Sequence, residues 1–246
     1  MRGDARAATE LAEGLSTCRW MFEQAAIPGP TGADSPDATP EDRARDQAQM
    51  DYWNDAQEFI RRNSSFCAGL DVAEIDRLTS KALLAAAQLG DEEAAACFVS
   101  DAAFYARIDD GTKTYPAERD DAEIASLYKA NVLHLAEHGV ELGDWRMVVM
   151  LSSGFRPGSP EGGNLFAYRI AQPDGAKAFL YASLLTFAFE DPLQIQRIKE
   201  TPLQADEFGI TDDQARQLAA EAQRMFNTYF RDSGTIPAEG STLCDM

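Results

Sequence analysis

ALLAAAQLGDEEAAACFVSDAAFY, residues 82 to 105, carries the pattern on which the fold depends. Alanine and leucine recur at helical spacing up to Leu89, and Gly90 stands where a helix commonly ends in a left-handed residue. Asp91 follows, and aspartate before an alanine-rich run is typical of a helix N-cap. The stretch predicts two helices joined by a short glycine turn, with small side chains where the helices approach each other.

The same order of turn and helix recurs elsewhere in the chain. A Gly-Asp or Gly-Ala pair opens an amphipathic segment in GDARAATELAEGL (3 to 15), GDWRMVVMLSSGF (143 to 155) and GAKAFLYASLLTFA (175 to 188). Three of the four glycine pairs also follow another apparent helix. The uneven spacing of the glycines indicates loops of different length between units.

Helical periodicity extends over most of the sequence, and no segment shows the alternation typical of a strand. The fold class is therefore all-α, in one domain over residues 1–246 with a Pro/Gly-rich linker at 27–40 and an irregular tail at 233–246. Helices are predicted at residues 4–26, 40–67, 71–90, 91–108, 122–138, 144–153, 164–171, 175–189 and 211–230, and another begins at 191.

Local capping signals define several helix ends. Asp71 with Glu74, and Thr211 with Gln214, have the spacing of a capping box. Pro40 occupies a first-turn position, where a missing amide hydrogen costs nothing. The apolar residues of the helix that follows are Tyr52, Trp53, Phe59 and Ile60.

The paired segments resemble the Sel1-like and tetratricopeptide family of helical-hairpin repeats. The best matches are residues 82 to 105 and LFAYRIAQPDGAKAFLYASLLTFAF, residues 165 to 189, which share the order Ala-Ala, Gly, Ala, Leu, Tyr. The resemblance covers about half of the chain. It implies antiparallel helical hairpins stacked as an irregular α-solenoid, and a non-enzymatic scaffold that binds protein on a concave surface. An irregular helical domain without repeats is the alternative.

The charge of the chain limits its partners. Lysine and arginine number 22 against 41 acidic residues, which gives a formal net charge of −19. Such a protein repels nucleic acid and anionic membranes and attracts a basic partner, although a merely solvated acidic surface is the alternative. The most apolar run, AFLYASLLTFAF, is too short to cross a bilayer, so no transmembrane segment is expected.

The cysteines favour an oxidising compartment. Cys18, Cys67, Cys97 and Cys244 are even in number and form no C-x-x-C pair. Two structural disulfides are expected, with four reduced thiols as the alternative. Cys18–Cys67 is the preferred pair, since each lies near a helix end on either side of the linker. We expect a periplasmic or secreted protein whose signal peptide has been removed, with a cytoplasmic location as the alternative.

HLAEHGVELGDW, residues 134 to 145, contains both histidines of the chain. His134, Glu137 and His138 form H-x-x-E-H, the spacing of one class of zinc peptidase, in which glutamate acts on the metal-bound water. They also fit an ordinary helix end, predicted at Gly139, because basic side chains are favoured in a last turn. Helical geometry places His138 near the apolar stripe and Glu137 towards solvent. We expect no metal or other cofactor.

These observations predict a non-enzymatic, acidic, helical-repeat protein that binds another protein. A sharper form is an inhibitor or immunity protein against a basic secreted toxin, as a monomer or small homo-oligomer. The alternatives are a zinc-dependent hydrolase that uses H-x-x-E-H and a structural domain of an envelope assembly. Candidate contact residues, for which core packing is the competing interpretation, are Trp145, Phe155, Arg156, Phe166, Tyr168 and Tyr181.

Overall fold

The structure, a computed structural model, describes residues 4–29, 39–105, 122–156, 173–188 and 202–232. Within these residues there are eight α-helices and no strand, which confirms the all-α class. The helices are α1 Ala5–Ala26, α2 Pro40–Asn63, α3 Val72–Gln88, α4 Glu92–Tyr105, α5 Ala122–Glu141, α6 Trp145–Gly154, α7 Gly175–Leu185 and α8 Asp212–Met225. A 3-10 turn, Asp206–Phe208, precedes α8, and a π-helical turn, Phe226–Phe230, follows it.

Parts of the predicted organisation lie outside the described residues. These parts are most of the linker, the helix at 164–171, the helix beginning at 191 and the tail at 233–246. The predicted N-caps form where they are described, and one of the two predicted capping boxes is reciprocal. Asp71 accepts a hydrogen bond from the Glu74 amide, and Thr211 and Gln214 form a reciprocal capping box at the start of α8.

The turn after α3 has the hydrogen bonds of a Schellman motif. The Asp91 amide donates to the Ala86 carbonyl at 3.1 Å, and the Gly90 amide donates to the Ala87 carbonyl at 3.0 Å. Gly90 has a φ of 94°, which side chains disfavour. An Asp91 carboxylate oxygen then accepts from the Ala94 amide at 2.9 Å and caps α4. One three-residue turn therefore ends a helix and begins the next.

The turn after α5 has the same construction. The Asp144 amide donates to the Gly139 carbonyl at 2.9 Å, and the Gly143 amide donates to the Val140 carbonyl at 3.1 Å. Gly143 has a φ of 84°, and Asp144 caps α6 through the Arg146 amide at 2.9 Å. Leu-Gly-Asp thus forms both turns, at 89–91 and at 142–144.

The predicted end of α5 at Gly139 is wrong, because the helix continues to Glu141. The left-handed position belongs to Gly143, and Gly139 lies inside the last turn. Its lack of a side chain serves packing instead, since a Cβ there would lie 2.5 Å from the Met147 Cγ of α6. The glycine allows the two helices to approach closely.

Alanine at either turn glycine is expected to destabilise the fold to a similar extent. Both glycines have positive φ, and the left-handed conformation costs an L-residue about 1–2 kcal/mol. We therefore expect Gly90→Ala and Gly143→Ala each to lower the free energy of unfolding by about that amount, measured by urea denaturation. A loss at only one of the two positions would contradict the equivalence of the turns.

From α3 onwards, each helix that the structure describes packs on the next described helix. α3 packs on α4, α4 on α5, α5 on α6, α6 on α7, and α7 on α8. Their buried side chains form one large core, in which Phe98 and Tyr128 are in ring contact at 5.7 Å between centroids. The Tyr128 hydroxyl donates to the Val99 carbonyl at 2.7 Å, so its polar atom is satisfied inside the core.

The N-terminal helices form a smaller second core. It contains Leu15, Cys18 and Met21 of α1, Cys67 of the turn after α2, and Ile75 of α3. α1 packs extensively on α3 and has a smaller contact with α2. Within the described residues, no helix is both long and apolar enough to cross a membrane.

Candidate protein-binding surface

Three of the predicted contact residues belong to the core. Trp145, Phe155 and Tyr181 are each less than one-tenth exposed. Trp145 contacts the Phe230 ring at 4.1 Å between centroids, and Phe155 stacks on Tyr181 at 6.2 Å. Core packing, the competing interpretation, describes their observed environment.

The other three predicted contact residues are Arg156, Phe166 and Tyr168, of which only Arg156 lies among the described residues. Arg156 has a half-exposed side chain, which lies 3.7 Å from the Glu207 carboxylate and 5.5 Å from the centroid of the Phe208 ring. Phe166 and Tyr168 lie outside the described residues.

Among the described residues, the most exposed aromatic side chains lie on α2 and on the turn that follows it. Tyr52 is 59% exposed, Phe59 41% and Phe66 62%. They are seven residues apart in sequence, and two helical turns separate Tyr52 from Phe59 on the same side of α2. We call Tyr52, Phe59 and Phe66 the aromatic ridge. Large exposed aromatics that share one face mark interaction surfaces more often than single exposed residues do.

Contacts with α1 hold the ridge in place. The Phe59 ring meets Trp20 edge to face at 5.5 Å between centroids. Phe66 lies over Gly14, where an added Cβ would be 2.9 Å from the Phe66 Cζ. From Phe59 to Phe66 the contacted residue of α1 moves back from Trp20 to Gly14. α1 and α2 are therefore antiparallel, and the ridge follows the seam between them.

A disulfide fixes the end of this seam. Cys18 of α1 is bonded to Cys67, which directly follows Phe66, across 49 residues of sequence. This is the pair that the sequence favoured, although Cys18 lies within α1 rather than near its end. Cys97 is buried on α4 and is also disulfide-bonded, whereas Cys244 lies outside the described residues.

α2 depends on these attachments because it contributes little to either core. Ala56 is the one residue of α2 that is buried. Its N-terminus is well capped, with Thr39 and Asp42 in a reciprocal capping box that was not predicted. A helix with so little buried surface gains most of its stability from its partner helix and from the disulfide.

Acidic side chains flank the ridge on the side away from α1. Asp51 and Asp55 are one helical turn apart and lie next to Tyr52 on the helix surface. Glu58 is also on this side, but it is paired with Arg61 and Arg62, whose hydrogen bonds lower its pKa to about 2 and whose two positive charges outweigh its negative one. The negative edge therefore lies at the Tyr52 end of the aromatic ridge, beside Asp51 and Asp55.

The helix-end histidines are both exposed and lie on the outer face of α5. The His134 and His138 rings are nearly parallel, with 6.3 Å between their centroids. His138 Nδ1 is 3.4 Å from the Glu141 carboxylate. In the described part of the chain, no three His, Cys, Asp or Glu side chains are grouped so that they could hold a metal ion together.

The positions of the H-x-x-E-H residues follow the expectation in part. His138 lines a small cleft with Leu135 and Met147, next to the apolar stripe of α5, and its side chain is about half exposed. Glu137 was expected towards solvent, but it is partly covered and accepts a hydrogen bond from Lys177 of α7 at 3.0 Å. The reason is that the Lys177 side chain of α7 reaches Glu137 of α5 and forms an ion pair with it.

Lys177 joins three helices around a buried tyrosine. Its ammonium lies 4.8 Å from the centroid of the Phe155 ring, which stacks on Tyr181. Burial raises the pKa of Tyr181 to about 12, and the charges of Glu137 and Glu141 act in the same direction. The Tyr181 hydroxyl therefore stays protonated over the physiological range, and this cluster serves packing.

The cleft between the two Leu-Gly-Asp turns is too small for an organic ligand. Its volume is about 30 Å³, room for one or two water molecules. Asp91 stands at its edge. Partial burial opposes ionisation of Asp91, but hydrogen bonds from the Ala94 amide and the Thr9 hydroxyl outweigh it and lower the pKa. The charged state thus stabilises the turn and its contact with α1.

The sequence contains a signal for the ridge. The periodicity of residues 40–67 predicts a helix with Tyr52 and Phe59 among its apolar residues, but periodicity alone does not show which of them stay exposed. The seven-residue spacing of Tyr52, Phe59 and Phe66, in a helix otherwise rich in charge, was the available indication.

Comparisons with protein-family models, with curated proteins and with solved structures gave no significant match.

Proposed function

We propose that this protein is a non-enzymatic binding protein and that the aromatic ridge is its docking surface for another protein. The carrying observation is that Tyr52, Phe59 and Phe66 lie exposed along one seam, tied to the fold by a disulfide beside Phe66. Binding energy at protein interfaces is concentrated in aromatic anchors. Attachment of the ridge to α1 reduces the entropy that these side chains lose on binding.

The occupant that fits this surface is a basic segment with apolar side chains. Asp51 and Asp55 border the ridge with negative charge, and the chain as a whole carries −19. Charge of this sign steers a cationic partner to the surface and repels nucleic acid. A second copy of this chain is less well matched, because it brings the same net negative charge.

The specific form that we propose is an inhibitor or immunity protein against a basic secreted toxin. The Cys18–Cys67 disulfide supports a periplasmic or secreted setting, because such bonds persist in oxidising compartments. The acidic composition supports rapid capture of a cationic protein.

We further propose that α3/α4 and α5/α6 are two units of an irregular Sel1-like or tetratricopeptide-like solenoid. The matching Leu-Gly-Asp turns and their shared hydrogen bonds support this interpretation. In such an array each unit packs on its neighbours, as α4 does on α5. The ridge then lies on the N-terminal side of the array.

Photo-crosslinking from the ridge tests the proposed docking surface. A benzophenone amino acid at Tyr52 is expected to capture a protein of net positive charge in cells, and 0.5 M salt before irradiation is expected to reduce capture severalfold. The products of adjacent reading frames are the first purified probes. The double variant Phe59→Ser/Phe66→Ser is expected to weaken binding of the captured protein at least about a hundredfold, since hot-spot truncation typically costs 2 kcal/mol or more.

Val149 on α6 provides the matched control. It is exposed to a similar degree as Phe59 but lies on a different helix, so Val149→Ser should leave binding unchanged. Asp51→Asn/Asp55→Asn should slow association and flatten its salt dependence. Crosslinking only to a second copy, capture of an acidic protein, or equal capture from positions 52 and 149 would each contradict the proposal.

A further inference from the structure

The two histidines of α5 form a feature that the proposed protein-binding function does not use. They are the only histidines in the chain, and they lie four residues apart on one exposed helix face. Their rings are inclined by only 14°, with 6.3 Å between centroids. Neither ring is buried in the core, so both retain nitrogen atoms that solvent and ions can reach.

We propose that His134 and His138 form a bidentate site for a late transition-metal dication, of the class of Cu²⁺, Ni²⁺ and Zn²⁺. Imidazole nitrogen is a preferred ligand of these ions, and residues at i and i+4 of a helix can reach one ion together. Water completes the coordination, because no third protein ligand is grouped with them among the described residues.

The observed separation of the rings is close to what such a site requires. Metal–nitrogen bonds of 2.0–2.1 Å at a tetrahedral angle bring two imidazole centroids to roughly 5 Å. From 6.3 Å and nearly parallel, the rings must approach by about 1 Å and also turn so that their in-plane nitrogen lone pairs converge on one ion, and χ1 and χ2 rotations at an exposed helix surface provide both changes. The backbone of α5 does not have to move.

Glu141 gives one ring a defined orientation. Its carboxylate lies 3.4 Å from His138 Nδ1 and accepts a proton held there, which leaves His138 Nε2 with its lone pair for the metal. Glu141 is therefore assigned a positioning role.

The site binds metal but lacks the arrangement of a zinc peptidase. Glu137, which would have to act on the metal-bound water, is engaged by Lys177 at 3.0 Å. The inference concerns ion binding at this surface and is independent of the aromatic ridge on α2.

Copper and zinc titrations of the untagged, oxidised full chain test the proposal. We expect Cu²⁺ to bind more tightly than Zn²⁺, and Mg²⁺ to leave the histidines unaffected, because it prefers oxygen ligands. Frozen-solution EPR of the one-to-one Cu²⁺ complex is expected to show two equatorial imidazole nitrogens. Zn²⁺ should shift both histidine Hε1 proton signals together, and these two signals are the only ones of their kind in the chain.

Single substitutions separate this site from general binding to an acidic surface. His134→Ala and His138→Ala should each reduce Cu²⁺ affinity at least tenfold and leave one equatorial nitrogen. Glu141→Gln should reduce Cu²⁺ affinity about tenfold while both equatorial imidazole nitrogens remain. If Glu141 only stabilised the fold, its substitution would not change Cu²⁺ affinity in this way. Far-UV circular dichroism verifies that each variant is folded. Copper coordinated only by oxygen, or the same affinity in His134→Ala/His138→Ala as in the native chain, would overturn the inference.

Discussion

Replacement of Gly175 by alanine is expected to lower the free energy of unfolding by about 3 kcal/mol or more. Gly175 is the first residue of α7, and it lies against the 3-10 turn Asp206–Phe208. A Cβ at this position would be only 1.7 Å from the Phe208 carbonyl oxygen and 2.8 Å from its carbonyl carbon. Because the obstacle is backbone, no side-chain rotation relieves the clash.

The consequence should extend beyond the turn itself. Displacing Phe208 also disturbs its edge-to-face contact with Phe179, at 5.3 Å between centroids, in the middle of α7. Urea denaturation followed by far-UV circular dichroism measures the loss.

Gly69→Ala is the matched control for Gly175→Ala. Gly69 has a φ of 87° and no atom within 4 Å of an added Cβ, so its substitution costs only the left-handed conformation, about 1–2 kcal/mol. If Gly175→Ala proved no more destabilising than Gly69→Ala, the close approach of α7 to the 3-10 turn would be wrong.

Removal of the Cys18–Cys67 disulfide is expected to cost about 4 kcal/mol in the chain-entropy estimate for a closed loop of this length. The bond spans 49 residues, and the loop includes all of α2. In Cys18→Ala/Cys67→Ala, we expect α2 to separate from α1 while α3 to α8 remain folded, because α2 has a single buried residue and packs chiefly on α1. Hydrogen exchange should show loss of amide protection in α2 first.

Leu15→Ala distinguishes the release of α2 from α1 from a general loss of stability. Leu15 lies in the same small core as the disulfide, and its truncation should cost about 2–5 kcal/mol without opening the loop. We expect α2 to keep its protection relative to α1 in this variant. If both variants exposed α2 to the same extent, packing rather than the disulfide would hold the helix.

The disulfide variant should also affect the two proposed binding activities differently. Release of α2 disperses the aromatic ridge, so binding of a basic partner should weaken. The histidine pair lies on the exposed face of α5, a helix whose buried side belongs to the larger core, and its Cu²⁺ affinity should remain unchanged. Loss of both activities would indicate that the whole domain had unfolded.

The sequence by itself determined the features that depend on local bonds. Helix ends at Asp71, Thr211 and the Gly90–Asp91 turn follow from hydrogen bonds between residues a few positions apart, which any chain with these residues can make. The all-α class follows for the same reason, since helical hydrogen bonds are local. The end of α5 was missed by a few residues, because Gly139 and Gly143 both fit the local rule and only packing against Met147 distinguishes them.

Tertiary structure alone decided which side chains are available. Trp145 and Tyr181 were predicted as contact residues and Tyr52 was not. Phe230 and Phe155 cover the first two, whereas Tyr52 is 59% exposed. Glu137 likewise forms an ion pair with Lys177, which is forty residues away in sequence. Burial and long-range pairing depend on which helices meet, and that is set by the sum of many packing contacts that no single stretch of sequence contains.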